Sequence, residues 1–177
     1  MTNLQENTQS PGLDRLLAFT LKDRNAHGRV VRMGPVLNTI LSAHDYEPAI
    51  KNLLAEALTL TALMGGLLKR EGSQLTMQAQ TEDGIVELLV CDYRDGELRG
   101  YVKHDRERAV ELGANPTLSG LFGNGSLAIT FEVASSGQRY QGIVPLEGRS
   151  LTETVEAYFA QSEQVPTLIR TAVRTGP

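Results

Sequence analysis

Pro48-Ala49-Ile50-Lys51-Asn52-Leu53-Leu54-Ala55-Glu56-Ala57-Leu58-Thr59-Leu60-Thr61-Ala62-Leu63-Met64-Gly65-Gly66-Leu67-Leu68 is the stretch whose reading decides the fold. Pro48 can open a helix, because its missing N–H falls among the unpaired donors of a first turn. Ile50, Leu53, Leu54, Ala57 and Leu58 follow as one stripe at helical spacing. Beyond Glu56 the apolar character spreads to Leu60, Ala62, Leu63, Met64, Leu67 and Leu68 and surrounds the axis. A helix apolar on every side has to be buried on every side. The longest helix is therefore predicted from Pro48 to about Leu68, with other layers on both its flanks. Gly65-Gly66 inside it is unusual, since glycine costs ~1 kcal/mol relative to alanine in a helix. Close approach of another backbone would account for the pair.

The residues that follow can supply a wall. Residues 74–80 alternate polar and apolar side chains, the mark of a half-buried strand. Glu82-Asp83-Gly84 turns the chain into a strand over residues 85–91, and Arg94-Asp95-Gly96 turns it again into residues 97–103. Asp-Gly pairs favour tight hairpins because glycine accepts positive φ without a Cβ clash. Residues 105–112 read as a short helix and 113–125 as irregular. Residues 126–134 and 139–146 form a second hairpin across Ser135-Ser136-Gly137-Gln138. Ser150 with Glu153 fits a capping box at the start of a helix to about Ser162. Residues 167–174 read as a strand.

Upstream of the long helix, residues 1–12 are polar, end in Ser10-Pro11-Gly12, and read as a flexible tail; the domain is expected over residues 13–177. Leu16, Leu17, Phe19 and Leu21 precede a strand that carries Val30, Val31 and Met33. Pro35 opens a helix with Val36, Leu37, Ile40 and Leu41 at helical spacing. The fold class is α+β: a central buried helix enclosed by antiparallel or mixed β-sheets, in β/α/β layers.

Composition narrows the function classes. At 177 residues the chain suits one domain that buries ~70% of its unfolded surface. Aromatics are sparse and tryptophan is absent, so aliphatic side chains fill the core. A net charge of −4 argues against a general nucleic-acid binder. The longest uncharged apolar run, between Glu56 and Lys69, falls short of the ~20 residues that cross a bilayer. The first residues have neither the basic patch nor the apolar stretch of a signal peptide. Cys91 is the only cysteine, which excludes an intramolecular disulfide and fits a reducing compartment. A soluble, cytoplasmic protein is expected.

Candidates for chemistry are few. Cys91 has no neighbouring cation or helix N-terminus to activate it, and a buried strand position is the simpler reading. His27, His44 and His104 are scattered, outside any metal-ligand spacing. His44 is expected to help end its helix, and His27 and His104 to sit in a hairpin or on the surface. Gly123-Asn124-Gly125 opens a strand rather than a helix and reads as a turn, not a phosphate cradle. Tyr101, Tyr140 and Tyr158 read as amphipathic core-edge residues. No nucleophile, base and orienter assemble from local motifs, so no catalytic, cofactor or metal site is assigned and no enzyme is expected.

Several segments keep an order that identifies a family. They are Tyr46-Glu47-Pro48 leading into residues 53–58, residues 67–72, residues 75–80, Gly96-Glu97-Leu98-Arg99-Gly100-Tyr101, and Gly123-Asn124-Gly125 before residues 127–130. The most specific is Arg139-Tyr140-Gln141-Gly142-Ile143-Val144-Pro145-Leu146-Glu147-Gly148, followed by Tyr158-Phe159 and residues 162–167. From Asp14 to the end the chain resembles the heat shock protein 33 family of ATP-independent holding chaperones. The resemblance implies a central helix enclosed by sheets. It also implies binding of unfolded client proteins under oxidative and heat stress, and homodimers formed through exchanged segments. The family's redox switch is a carboxy-terminal zinc site of four cysteines, in C-x-C and C-x-x-C pairs. This sequence stops at Gly176-Pro177 without them, so a truncated amino-terminal domain is expected, with zinc only in the region beyond it.

The function implied is a holdase module that offers apolar surface to unfolded proteins, driven by ~25 cal/mol per Å² of apolar area buried. Leu88, Val90, Ile129, Phe131 and Val133 are candidates to touch a client, although core packing is the commoner fate of such side chains. No substrate-binding residue is assigned. Two other readings are carried: a small-molecule enzyme with a polar cleft lined by Gln78, Gln80, Arg99 and Tyr101, and a pure dimerisation module.

Overall fold

In a computed structural model that describes residues 2–3, 14–113 and 116–174, eight strands and five α-helices follow one another in runs of strands and runs of helices. They are β1 (Thr2–Asn3), β2 (Arg15–Leu21), β3 (Ala26–Arg32), α1 (Pro35–Ser42), α2 (Pro48–Gly65), β4 (Gln74–Thr81), β5 (Val86–Arg94) and β6 (Glu97–His104). There follow α3 (Arg106–Ala109), α4 (Leu118–Phe122), β7 (Gly125–Val133), β8 (Gln138–Pro145) and α5 (Leu151–Tyr158), which runs on into a π-helical turn at Phe159–Glu163.

Six strands form one sheet in the order β1-β6-β5-β4-β7-β8, and β2 with β3 form a separate two-stranded sheet. Every pairing is antiparallel. At the β5–β6 turn Asp95 and Gly96 take φ of 50° and 84°, the left-handed pair that closes a two-residue hairpin. Of the expected tail, residues 2–3 pair with Leu98 and Glu97 at the sheet edge; residues 4–12 lie outside the described residues.

α2 is the centre. Ile50, Leu54, Ala57, Leu58, Leu60 and Ala62 are wholly buried, and Pro48 alone in the helix is exposed. Its neighbours are β4, β5 and β6 on one side, with α1, α5 and β3 around the rest. The wall opposite the large sheet is therefore mostly helical, with the β2–β3 hairpin closing the carboxy-terminal end. The helix stops at Gly65 rather than Leu68. Side chains rather than another backbone come nearest the glycine pair, contrary to the expectation. A Cβ on Gly65 would lie 2.3 Å from the Tyr93 ring, and one on Gly66 2.8 Å from the Leu16 side chain.

Side chains from distant elements cap the helices. Both carboxylate oxygens of Asp14 accept from the backbone at the entrance of α1, where the capping residue Gly34 has no side chain to do so. Glu56 of α2 accepts from the N–H and hydroxyl of Thr152, in the first turn of α5, where a carboxylate also meets the positive end of the dipole. Ser150 Oγ accepts from Glu153 N as a capping box requires, while the Glu153 carboxylate bonds the backbone N–H of Arg149 instead of that of Ser150.

Two further expectations fail. The stretch read as irregular contains α4, capped by Thr117. Residues 167–174 form no strand: Ile169 is buried, and its N–H donates 2.6 Å to Glu156 of α5. The segment is held by a side chain rather than by a ladder.

Candidate functional site

Alternation along the large sheet sends Leu75, Met77, Ala79, Leu89, Cys91, Leu98, Val102, Leu127 and Ile129 inward, and all are buried. The opposite side chains form rows across the strands. One row is Arg99-Asp92-Thr76-Thr130-Gln141 and the next is Tyr101-Val90-Gln78-Ala128-Ile143. A third runs Lys103-Leu88-Gln80-Ser126-Pro145. Tyr101 and Ile143, at the two margins of the middle row, are 42% and 62% exposed.

The first row is polar and satisfied within itself. Asp92 is buried, accepts from Arg99 Nε and Thr76 Oγ1 at 2.5 Å each, and takes a longer bond from Gln74. Gln141 donates to Thr130 Oγ1. A buried carboxylate with these partners avoids the desolvation cost of an unpaired charge. The second row is mostly apolar and lies open beside it. The two rows give an open sheet surface with an apolar strip, not a cleft.

A second exposed apolar face belongs to the hairpin. Leu17, Phe19 and Leu21 of β2 and Val30 of β3 lie on one side and are each about half exposed; Phe19 lies over Gly28, where a Cβ would be 2.0 Å from the ring. The other side, with Leu16 and Val31, turns toward the end of α2, and Arg29 Nε donates to Gly66 O there.

The residues singled out from sequence divide between these surfaces and the core. Leu88 and Val90 are half-buried on the outer sheet face. Ile129, Phe131 and Val133 point to the inner side, with Ile129 wholly buried. Gln78, Gln80, Arg99 and Tyr101 do share one face, but an open one. A depression of about 670 Å³ lies at the end of it, lined by Gln80, Glu82, Asn124, Ser126 and Glu147 among others. The hairpin face was not foreseen, although Leu17, Phe19 and Leu21 at every second position carried the signal.

Cys91 is buried in β5, and burial first of all pushes its thiol pKa up. Gly123, with φ of 54°, forms the expected turn, and Asn124 N donates to Asp83. Tyr158 is buried with its hydroxyl on Glu163, whereas Tyr140 is more than half exposed. His44 lies beyond the end of α1 and packs on Tyr46 and Tyr101, ring centroids 5.1 and 5.5 Å away, rather than ending the helix. His104 is not on the surface: its side chain is 4% exposed and meets Glu47. Among the described residues no three His, Cys, Asp or Glu side chains cluster as a metal-ligand set. Among the described residues no helix is long and apolar enough to cross a membrane.

Comparison with known proteins agrees with this geometry. The Hsp33 protein family model matches residues 14–177. The 33 kDa chaperonin of Caulobacter vibrioides (strain NA1000 / CB15N) is 44% identical over 164 residues, which cover 90% of this chain and 54% of that protein. The 33 kDa chaperonin of Yersinia pestis (strain Pestoides F) is 37% identical over 92% of this chain and 53% of that protein. The crystal structure of the 33 kDa chaperonin (heat shock protein 33 homolog) of Thermotoga maritima matches with a TM-score of 0.75 at 25% identity, over 88% of this chain and 53% of that one. The chain thus spans about half the length of the relatives it matches. Matched over residues 14–177, and similar in fold to a solved heat shock protein 33 homolog, it belongs to the Hsp33 protein family.

Proposed function

We propose that the chain is the substrate-binding domain of an ATP-independent holding chaperone. It would bind unfolding proteins under oxidative or heat stress and keep them from aggregating. The observation that carries this reading is the apolar surface left open on a rigid framework, on the hairpin and along the row from Tyr101 to Ile143. Burying one large aliphatic side chain completely is worth ~1.5–3 kcal/mol, so several half-exposed ones give useful affinity without direction or sequence rule. Binding the unfolded state lowers the concentration free to aggregate and needs no nucleotide. Relatives bearing the name 33 kDa chaperonin support the reading.

We read the protein as cytoplasmic, in keeping with a single, buried cysteine, and not as an enzyme. Light scattering of a thermally unfolding client, with this chain and with a longer zinc-bearing relative, tests the proposal. Suppression by this chain in modest excess supports it. If the chain is inert while the oxidised longer form protects, client binding does not reside here. A homodimer is the competing use of the same apolar surface, and sizing chromatography over a dilution series separates the two.

A further inference from the structure

The hairpin combines its apolar face with an unusual charge. Residues 15–32 hold five cationic side chains, Arg15, Lys22, Arg24, Arg29 and Arg32, against the single carboxylate of Asp23, a net of +4. The whole chain carries −4, so everything outside the hairpin sums to −8. Arg29 is committed to Gly66 O. The other four cations are exposed, and none has an ion pair among the described residues.

Their placement matters more than their number. Arg15 and Arg32 are register partners, directly opposite each other on the same face as Leu17, Phe19, Leu21 and Val30. Like charges in that relation destabilise a strand pair. Lys22 and Arg24 stand at the other end of the strip, in the turn. The exposed apolar side chains are thus bracketed at both ends by net positive charge, from Arg15 and Arg32 at one end and from Lys22 and Arg24, with Asp23 between them, at the other, over a strand of seven residues, or ~24 Å. Among the described residues β2 and β3 pair only with each other, so within those residues each has an edge of backbone donors and acceptors without a ladder partner.

We propose that this hairpin binds extended segments of unfolded polypeptide in which an apolar core is flanked by acidic residues. The apolar side chains of the segment cover the strip from Leu17 to Leu21. Its carboxylates neutralise Arg15 and Arg32 at one end and Lys22 and Arg24 at the other. Its backbone is free to add to a hairpin edge as an extra strand. The assignment rests on the holding activity proposed above and names the client class that this face selects. An anionic bilayer offers the same charge but also meets the −8 of the remaining body, and a peptide, which touches the hairpin alone, does not.

Fluorescence anisotropy on the 177-residue chain tests this, with three labelled peptides that share one apolar core and carry two Asp, two Ser or two Lys on each flank. The Asp peptide should bind about tenfold more tightly than the Lys peptide at ~50 mM salt, and the gap should close at ~0.5 M as screening shortens. Arg15→Glu/Arg32→Glu, which takes the hairpin from +4 to 0, should level the ranking, and the milder Arg15→Ser/Arg32→Ser, which leaves +2, should narrow it, with circular dichroism confirming both folds. Equal affinities, a ranking indifferent to these variants, or tighter binding of phosphatidylglycerol vesicles or a single-stranded oligonucleotide than of the Asp peptide would overturn the assignment. Equal affinities together with intact aggregation suppression remove the selectivity alone. Loss of both peptide binding and suppression removes the holding reading as well.

Discussion

Nε2 of His104, at the end of β6, lies 2.7 Å from Oε2 of Glu47, the residue at the entry to α2, and so ties the edge of the sheet to the start of the central helix. Tyr46 packs beside the imidazole, with ring centroids 5.6 Å apart, and its hydroxyl accepts from Val102 N. The two consecutive residues Tyr46 and Glu47 therefore hold the loop before α2 against one strand.

This contact has a pH signature. The Glu47 carboxyl is held below its ordinary value of 4.5, chiefly by its own backbone N–H and then by His104, against the opposing effect of burial. A carboxyl whose pKa is lower in the folded state contributes stability that is complete above its unfolded pKa. That stability is lost as pH falls through the folded value. Glu47→Gln should cost ~1 kcal/mol near neutrality and flatten the decline of stability below about pH 4.5. Urea midpoints measured from about pH 7 to 3 check this; parallel curves for both proteins would rule it out.

The glycines beside the central helix should differ in their tolerance. Gly65→Ala gains ~1 kcal/mol of helix propensity in isolation. Its Cβ, however, would meet Cγ of Tyr93, the rigid base of that side chain, at 2.3 Å. Overpacking of that kind costs ~1–3 kcal/mol, so net destabilisation is expected. At Gly100 the added Cβ meets the branch ends of Leu58 and Leu54, at 2.8 and 2.9 Å, and Cys91 Sγ at 3.1 Å. Those leucine ends can swing aside, and Gly100→Ala should cost less. Denaturant midpoints rank the two, and Tyr93→Ala should recover part of the loss at Gly65 but none at Gly100.

The legible parts of the sequence are those in which one residue pattern had one physical outcome. An apolar surround from Leu53 to Met64 can only be buried, and Asp95-Gly96 can only close a tight hairpin, so the central helix and the meander followed. Patterns open to two outcomes misled. Leu168 and Ile169 look like part of a strand, but Glu156 takes the N–H that a ladder would need. α4 is five residues long, too short for periodicity to register, and only Thr117 marks its start. Alternation in β5 and β7 separates two faces without saying which one the helix covers. Leu88 and Ile129 looked alike as client contacts, yet they lie on opposite sides of the sheet.

Cys91 should be chemically silent in the native protein. Burial raises its pKa first of all, Thr61 partly opposes this with a hydrogen bond, and the nearby Asp92 carboxylate raises it further. The thiol is wholly buried and stays protonated, while the thiolate is the reactive form. Labelling by a neutral alkylating reagent near pH 8 should therefore proceed only through opening of the domain and accelerate in step with unfolding as urea is added. Rapid labelling without denaturant would show that β5 does not pack against α2 as described.

If holding depends on exposed apolar side chains, substitutions there should separate activity from stability. Leu17→Ser/Phe19→Ser on the hairpin and Tyr101→Ser/Ile143→Ser on the outer sheet face alter side chains that are all 42% exposed or more. Surface changes of this kind usually shift stability by ~0.5 kcal/mol each. In a client complex, each lost side chain forfeits ~1 kcal/mol of partial burial, so either pair should weaken client affinity by about thirtyfold. Ile129→Ser is the control of opposite sign, because it places a hydroxyl in the wholly buried layer beneath α2 and should lower the unfolding midpoint steeply. Light scattering of an unfolding client, read beside the melting curve of each variant, distinguishes the cases. Weakened suppression in a protein that melts normally assigns client contact to that face, and suppression that tracks only the melting temperature takes it away.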